Sequence, residues 1–118
     1  MNFPLADLDF AVDDDVVVAR LIGEIDMSNA VELGDALAAR LKNASRGLVL
    51  DLTECEYLDS AGIRLLYELH ERLRQRGLDL RVVAGPGAAI APALEVAGVL
   101  RAMGSADNVE VALSSLRG

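Results

Sequence analysis

The chain has 118 residues, 53% of them hydrophobic and 25% charged, enough apolar material for one globular domain over residues 1 to 118. Eleven basic residues against nineteen acidic ones leave a formal net charge of −8, which repels phosphate backbones and anionic membrane surfaces and argues against direct nucleic-acid binding. Aromatic residues make up only 3% of the chain and tryptophan is absent, so stacking platforms for bases are nearly missing.

The segment "FPLADLDFAV" alternates apolar and polar residues and "VVVARLIGEI" follows, which predicts an antiparallel hairpin turning at Asp13 to Asp15. Beyond "GEID" the period changes from 2 to 3.6: Ala30, Leu33, Leu37 and Leu41 form one stripe, predicting a first helix over about 29 to 43 with Ser28 or Asn29 as its N-cap. "RGLVLDL" at 46 to 52 is an almost uninterrupted apolar run, as expected of a central strand covered on both faces.

A second helix begins near Ser60, carries Ile63, Leu66, Tyr67, Leu69 and Leu73 inward, and stops at Gly77. On its outer side Glu68 and Arg72 stand at i,i+4 spacing, and the run Arg64, Arg72, Arg74, Arg76 reads as a solvated face. "LDLRVVA" makes the next strand, so 48 to 52 and 79 to 84 should lie parallel with the helix crossing over them. "GPGAAIAPALEVAG" predicts a turn and a short helix with Pro92 in its first turn and Gly98 at its end. "VLRAM" is expected as an edge strand, and "DNVEVALSSL" as a last helix with Asp107 and Glu110 at capping-box spacing. The order ββαβαβαβα is that of an α/β domain with a mixed sheet of four to five strands, an antiparallel hairpin first, parallel strands at the centre and about four helices.

Catalytic sets are hard to assemble from this chain. Its single histidine, His70, lies ten residues along the second helix from Ser60, about 15 Å at the helical rise, too far to activate it. Neither "AGPGAA" nor "DSAG" contains a Walker lysine or a dinucleotide fingerprint. The carboxylate pairs Glu24 with Asp26 and Glu54 with Glu56 lack metal-ligand spacing, and the Asp13 to Asp15 triplet lacks the glycine of a calcium loop. No enzymatic activity, metal or cofactor is expected. Cys55 is the only cysteine, so no internal disulfide can form and a reducing compartment fits; it is expected to behave as a small buried hydrophobe. No leader-like segment and no apolar stretch of membrane-crossing length occurs, which predicts a cytoplasmic, soluble protein.

Ser60 follows the carboxyl end of a central strand, where α/β domains place functional surfaces. It reads either as an ordinary N-cap or as the point of a switch, since a helix start offers unpaired N–H groups and partial positive charge to an anion.

"LVLDLTECEYLDSAGIRLLYEL", preceded by "LIGEIDMSNAVEL" and followed by "GLDLRVVAGPGAAIAPALEVAGV", resembles the STAS domain of bacterial anti-sigma factor antagonists, from about residue 15 to the last helix. The resemblance implies that Ser60 is the phosphoacceptor of a serine-kinase anti-sigma factor of the GHKL type, reset by a PP2C-type phosphatase. It further implies a partner-facing surface of Asp26, Asn29, Asp59, Ser60, Ala61 and Gly62, with Gly62 keeping the helix start open and Ala61 removing a second candidate hydroxyl. In that family the unphosphorylated antagonist binds the anti-sigma factor and so frees the sigma factor. STAS domains also serve as regulatory or assembly subunits of membrane transport and lipid-trafficking complexes, where the serine surface would dock on an ABC ATPase.

Overall fold

A computed structural model describes residues 1–42 and 45–117. The chain runs β1 (Asn2–Phe3), β2 (Ala6–Asp13), β3 (Val16–Ile25), α1 (Ala30–Ala39), β4 (Gly47–Asp51), β5 (Cys55–Leu58), α2 (Ser60–Gln75), β6 (Asp79–Val83), α3 (Ala91–Val96), α4 (Val99–Ala102), β7 (Gly104–Ala106) and α5 (Val109–Arg117). One mixed sheet has the order β1-β2-β3-β4-β6-β7, with β5 added beside β3.

The alternating segment does form the expected antiparallel hairpin, β2 against β3 from Ala6↔Gly23 to Asp13↔Val16. Asp14 takes a positive φ of 55° in its turn, a conformation that aspartate tolerates better than most side chains. Pro4 and Leu5 break what the alternation suggests is one strand and set off the two-residue β1. Strand β4 is buried along Gly47–Leu50 and pairs in parallel with β3 on one side and β6 on the other, as its apolar run predicts.

Helix α1 ends at Ala39, short of the expected boundary; residue 43 lies outside the described residues. Leu41, last of the stripe, is buried from the turn that follows. Strand β5 escapes the sequence pattern because it is short, with only Cys55 and Leu58 of its four residues buried. "VLRAM" is not an edge strand: Val99 and Met103 are buried four residues apart, a helical spacing, and α4 forms there after Gly98 turns the chain with φ +74°. The edge strand β7 comes later, at Gly104–Ala106.

Helices α1 to α4 cover one face of the sheet. Leu33 and Leu37 from α1 and Leu66, Leu69 and Leu73 from α2 meet Leu21, Leu48, Leu50 and Leu80 of the strands in one core. Each fully buried leucine contributes about 1.5–3 kcal/mol relative to exposure. Leu65, absent from the predicted inner stripe, is buried against α1, where a Cβ on Gly34 would come within 2.7 Å of it. Tyr67 turns out half-exposed, its hydroxyl donating to the Ala97 carbonyl at 2.8 Å. Arg72 reaches across to Asp35 of α1 at 3.2 Å instead of pairing with Glu68. The opposite face carries a smaller core, in which Ala112, Leu113 and Leu116 of α5 pack on Val16, Val49 and Val83. Asn108 caps α5 by accepting from the Val111 N–H, displacing the expected Asp107.

Strand β3 changes partner along its length: Val16–Arg20 pairs with β4, and Gly23–Ile25 pairs with β5 after a register shift at Gly23/Glu24. Gly23 has φ +115°, and a Cβ there would sit 2.3 Å from the Leu5 carbonyl oxygen. Main chain cannot rotate away as a side chain can. Gly23→Ala is therefore expected to lower stability by about 2–3 kcal/mol, combining backbone strain with overpacking, measured as a drop in the urea midpoint at unchanged m-value.

Candidate functional site

The exchange of strand partners builds the site. Thr53 folds back on Asp51, its N–H and hydroxyl donating to Oδ1 at 3.0 and 2.6 Å, and this turn shifts the chain from β4 onto β5. Ile25 and Leu58 then pair side by side, and the two loops that follow, at Asp26 and Asp59, emerge together. The Asp59 N–H donates to the Ile25 carbonyl at 3.3 Å and locks the second loop to the first.

Asp59, not Ser60, caps α2. Its Oδ1 accepts from the Ala61 and Gly62 N–H groups at 2.8 and 3.2 Å, and its carbonyl accepts from the Ile63 N–H at 3.0 Å. A side-chain acceptor in extended backbone is what an N-cap requires. Ser60 consequently becomes the first helical residue, exposed, with its hydroxyl bonded to no described residue. Two of the helix-start donors that the sequence offers to an anion, the Ala61 and Gly62 N–H groups, are already spent on a carboxylate.

Gly62 does not keep the helix start open; it lets it close. The residue is buried, and an added Cβ would lie 2.8 Å from the Leu58 Cβ and 3.3 Å from Ile25. Glycine thus allows the first turn of α2 to rest directly on the ends of β3 and β5. Ala61, one residue earlier, is half-buried.

Asp26 is half-buried, and its Oδ1 accepts from the Ser28 N–H at 2.8 Å and hydroxyl at 2.5 Å. Asn29 precedes α1 but gives it no side-chain cap. Expected on the partner-facing surface, it is 1% exposed, the one buried polar side chain among the described residues. Its amide donates to the carbonyls of Pro4 and Glu24 at 2.6 and 2.8 Å and its Oδ1 accepts from the Asp26 N–H at 3.0 Å. Both amide hydrogens and the Oδ1 are engaged inside the protein, so Asn29 shapes the site from beneath its surface.

What remains at the surface is an apolar lip beside a hydroxyl. Met27 and Val31 are 84% and 75% exposed, and Tyr57 is 51% exposed. Met27 and Val31 border a shallow depression between α1 and α2 whose other walls include Ala61, Arg64, Leu65 and Glu68. Of these only Ala61 belongs to the surface that the resemblance implies. The signal for two of them was present: Met27 and Val31 are four residues apart and out of phase with the inward stripe of Ala30, Leu33 and Leu37.

Cys55, at the start of β5, is 1% exposed. Burial pushes its thiol from an ordinary 9.0 up to about 11, with the charges of Glu24 and Glu56 adding to the effect. No group of three or more potential metal ligands occurs among the described residues, and none of the helices is long and apolar enough to cross a membrane.

The chain belongs to the STAS domain family: the family model described as Mlab, STAS domain, matches residues 8–105. Among curated proteins it is 37% identical over 62 residues to BtrV of Bordetella bronchiseptica, assigned as an anti-sigma factor antagonist; the match spans 52% of this chain and 53% of that one, about half the relative's length. The crystal structure of an anti-sigma factor antagonist from Mycobacterium paratuberculosis superposes with a TM-score of 0.82 at 28% identity, over 96% of this chain and 95% of the other. Moorella thermoacetica RsbS, in a serine-to-glutamate variant, superposes with a TM-score of 0.76 at 26% identity over 93% and 94%. The mixed sheet with its antiparallel start is the fold of these antagonists.

Two outcomes follow from the site geometry. Asp59→Ala should cost about 1 kcal/mol by loss of the cap, whereas Ser60→Ala should stay within about 0.5 kcal/mol of the parent, as read from urea unfolding; equal losses would mean that the hydroxyl shares the capping. Because the folded thiol binds its proton more tightly than the unfolded one, the stability linked to Cys55 is fully present below pH 9 and declines as pH rises from 9 toward 11. A Cys55→Ala variant should lack that part of the alkaline decline in a pH series of melting curves.

Proposed function

We propose that this protein is an anti-sigma factor antagonist that works by partner switching at Ser60. The observation that carries the reading is the division of labour at the start of α2: Asp59 holds the helix, and Ser60 presents a free hydroxyl beside an apolar lip. Similarity over nearly the full chain to a solved anti-sigma factor antagonist supports it.

In this reading the unphosphorylated protein docks Ser60, Ala61, the Asp26 and Asp59 loops and the Met27–Val31 lip against a serine-kinase anti-sigma factor of the GHKL type, releasing the sigma factor. The kinase transfers the γ-phosphoryl group of ATP to the Ser60 Oγ, leaving ADP and the hydroxyl proton. The product carries about −1.5 to −2 additional charge at that point. A dianion beside Asp59 and Asp26 opposes close apposition by charge and by bulk, while the cap beneath it stays in place. A PP2C-type phosphatase restores the hydroxyl by hydrolysis. The protein itself is a binding module, not an enzyme, and acts in the cytoplasm.

A second reading is favoured by the family model, which is named for Mlab rather than for an antagonist. Here the same serine surface docks on the ABC ATPase of a membrane transport or lipid-trafficking complex. Both readings use one surface and differ in what it meets.

Mass spectrometry after incubation with the host's serine-kinase anti-sigma factors and ATP is expected to find one phosphate, on Ser60. In calorimetric titrations with that kinase, Ser60→Asp should weaken binding at least tenfold with an unchanged circular-dichroism spectrum, and Ser60→Ala should bind like the unphosphorylated protein. A Ser60→Asp variant that binds as tightly as the parent would overturn the mechanism. Stable binding to an ABC ATPase with no response to any kinase would favour the second reading.

A further inference from the structure

Arg64 stands four residues beyond Ser60 in α2. Residues so spaced share one helix face, their Cβ atoms about 5–6 Å apart. Helical side chains also lean toward the N-terminus, so the long side chain of Arg64 is able to reach back over the turn that carries Ser60. The other arginines near this helix are occupied: Arg72 by Asp35, Arg74 by Glu71, and Arg76 by the Leu41 carbonyl. Arg64 is exposed and forms no ion pair or hydrogen bond with any described residue, Glu68 one turn further on included. It borders the depression beside Met27 and Val31.

Three N–H groups of the helix start are already engaged. Its Ala61 and Gly62 N–H groups point to the Asp59 carboxylate, and that of Ile63 to the Asp59 carbonyl. The carboxylates of Asp59 and Asp26 occupy the same end of the sheet. A phosphate on Ser60 therefore enters a negative neighbourhood in which Arg64 is the cation within helical reach.

We infer that Arg64 is the intramolecular counter-ion of phosphorylated Ser60. Pairing draws its guanidinium from the edge of the Met27–Val31 depression onto the phosphate, so that modification adds a dianion and withdraws a cation from the docking surface together. Arg64 is thus a positioning residue for the switch, and the inference rests on the reading of Ser60 as the modified residue.

The test uses the full chain with phosphoserine installed at position 60 during translation, as the parent and as Arg64→Gln and Arg64→Lys variants. Phosphorus NMR follows the second ionisation of the phosphate against pH. An adjacent cation favours the dianion, so Arg64→Gln is expected to raise the midpoint by about half a unit and Arg64→Lys to recover much of the difference. In about 1 M salt, where the screening length is near 3 Å, the midpoints should converge. Identical midpoints in all three proteins at low salt would overturn the pairing. Because no kinase takes part, absence of kinase-dependent phosphorylation would count against the proposed function alone, and a flat variant series against Arg64 alone.

Discussion

The Asp59 carboxylate, shared between the Ala61 and Gly62 N–H groups, is the contact on which the functional surface depends. A helix start needs an acceptor, and had serine supplied it, the hydroxyl would have been tied into the fold. With aspartate one residue earlier, the structural requirement is met by a group that need not change. The neighbouring hydroxyl is then left out of the bonding that holds α2. The same choice has an electrostatic cost, because a fixed carboxylate sits next to the place where further negative charge would arrive.

The rest of the architecture brings this cap to the surface in a fixed position. Strand β3 leaves β4 for β5 at the Gly23 irregularity, which carries the start of α2 beside the loop leading into α1. Gly62 lets the first turn settle on Ile25 and Leu58, and Gly34 lets α1 and α2 approach around Leu65. The exposed lip of Met27 and Val31 is thereby set next to Ser60 on a framework whose core leucines are fully buried. Apolar residues this exposed are individually unremarkable in a soluble domain, but grouped beside a free hydroxyl they mark a surface suited to transient contact.

Much of the fold is legible in the sequence because its strands and long helices have strong periodicity. The continuous apolar run of β4 and the stripe of α2 translate into burial with few exceptions, and the alternation in β2 does so at Ala6 and Leu8 before fading at Phe10 and Val12. The failures occur where periodicity has too few residues to work with: the four residues of β5, the single helical turn of α4, the two residues of β1. In α2 and α5 the side chain that caps the helix is the neighbour of the expected one, Asp59 for Ser60 and Asn108 for Asp107, whereas α1 starts at the expected Asn29 without a side-chain cap. Aspartate, serine and asparagine are all good caps, and which of two adjacent ones takes the role depends on tertiary contacts, such as the tie from the Asp59 N–H to the Ile25 carbonyl. At the site, the sequence located Ser60, Asp59 and Asp26 at one end of the sheet, but could not reveal that Asn29 faces inward or that Arg64 is left without a partner.

Asn29 joins three stretches of chain through a single amide, its two ends serving opposite chemical needs. An aspartate there would have nearly the same outline but no hydrogen to offer, and its oxygen would confront the Pro4 and Glu24 carbonyls. Isosteric exchange at this position should therefore be harsher than its shape suggests, detectable as a lowered melting temperature that partly recovers in acid, where the introduced carboxyl regains a proton.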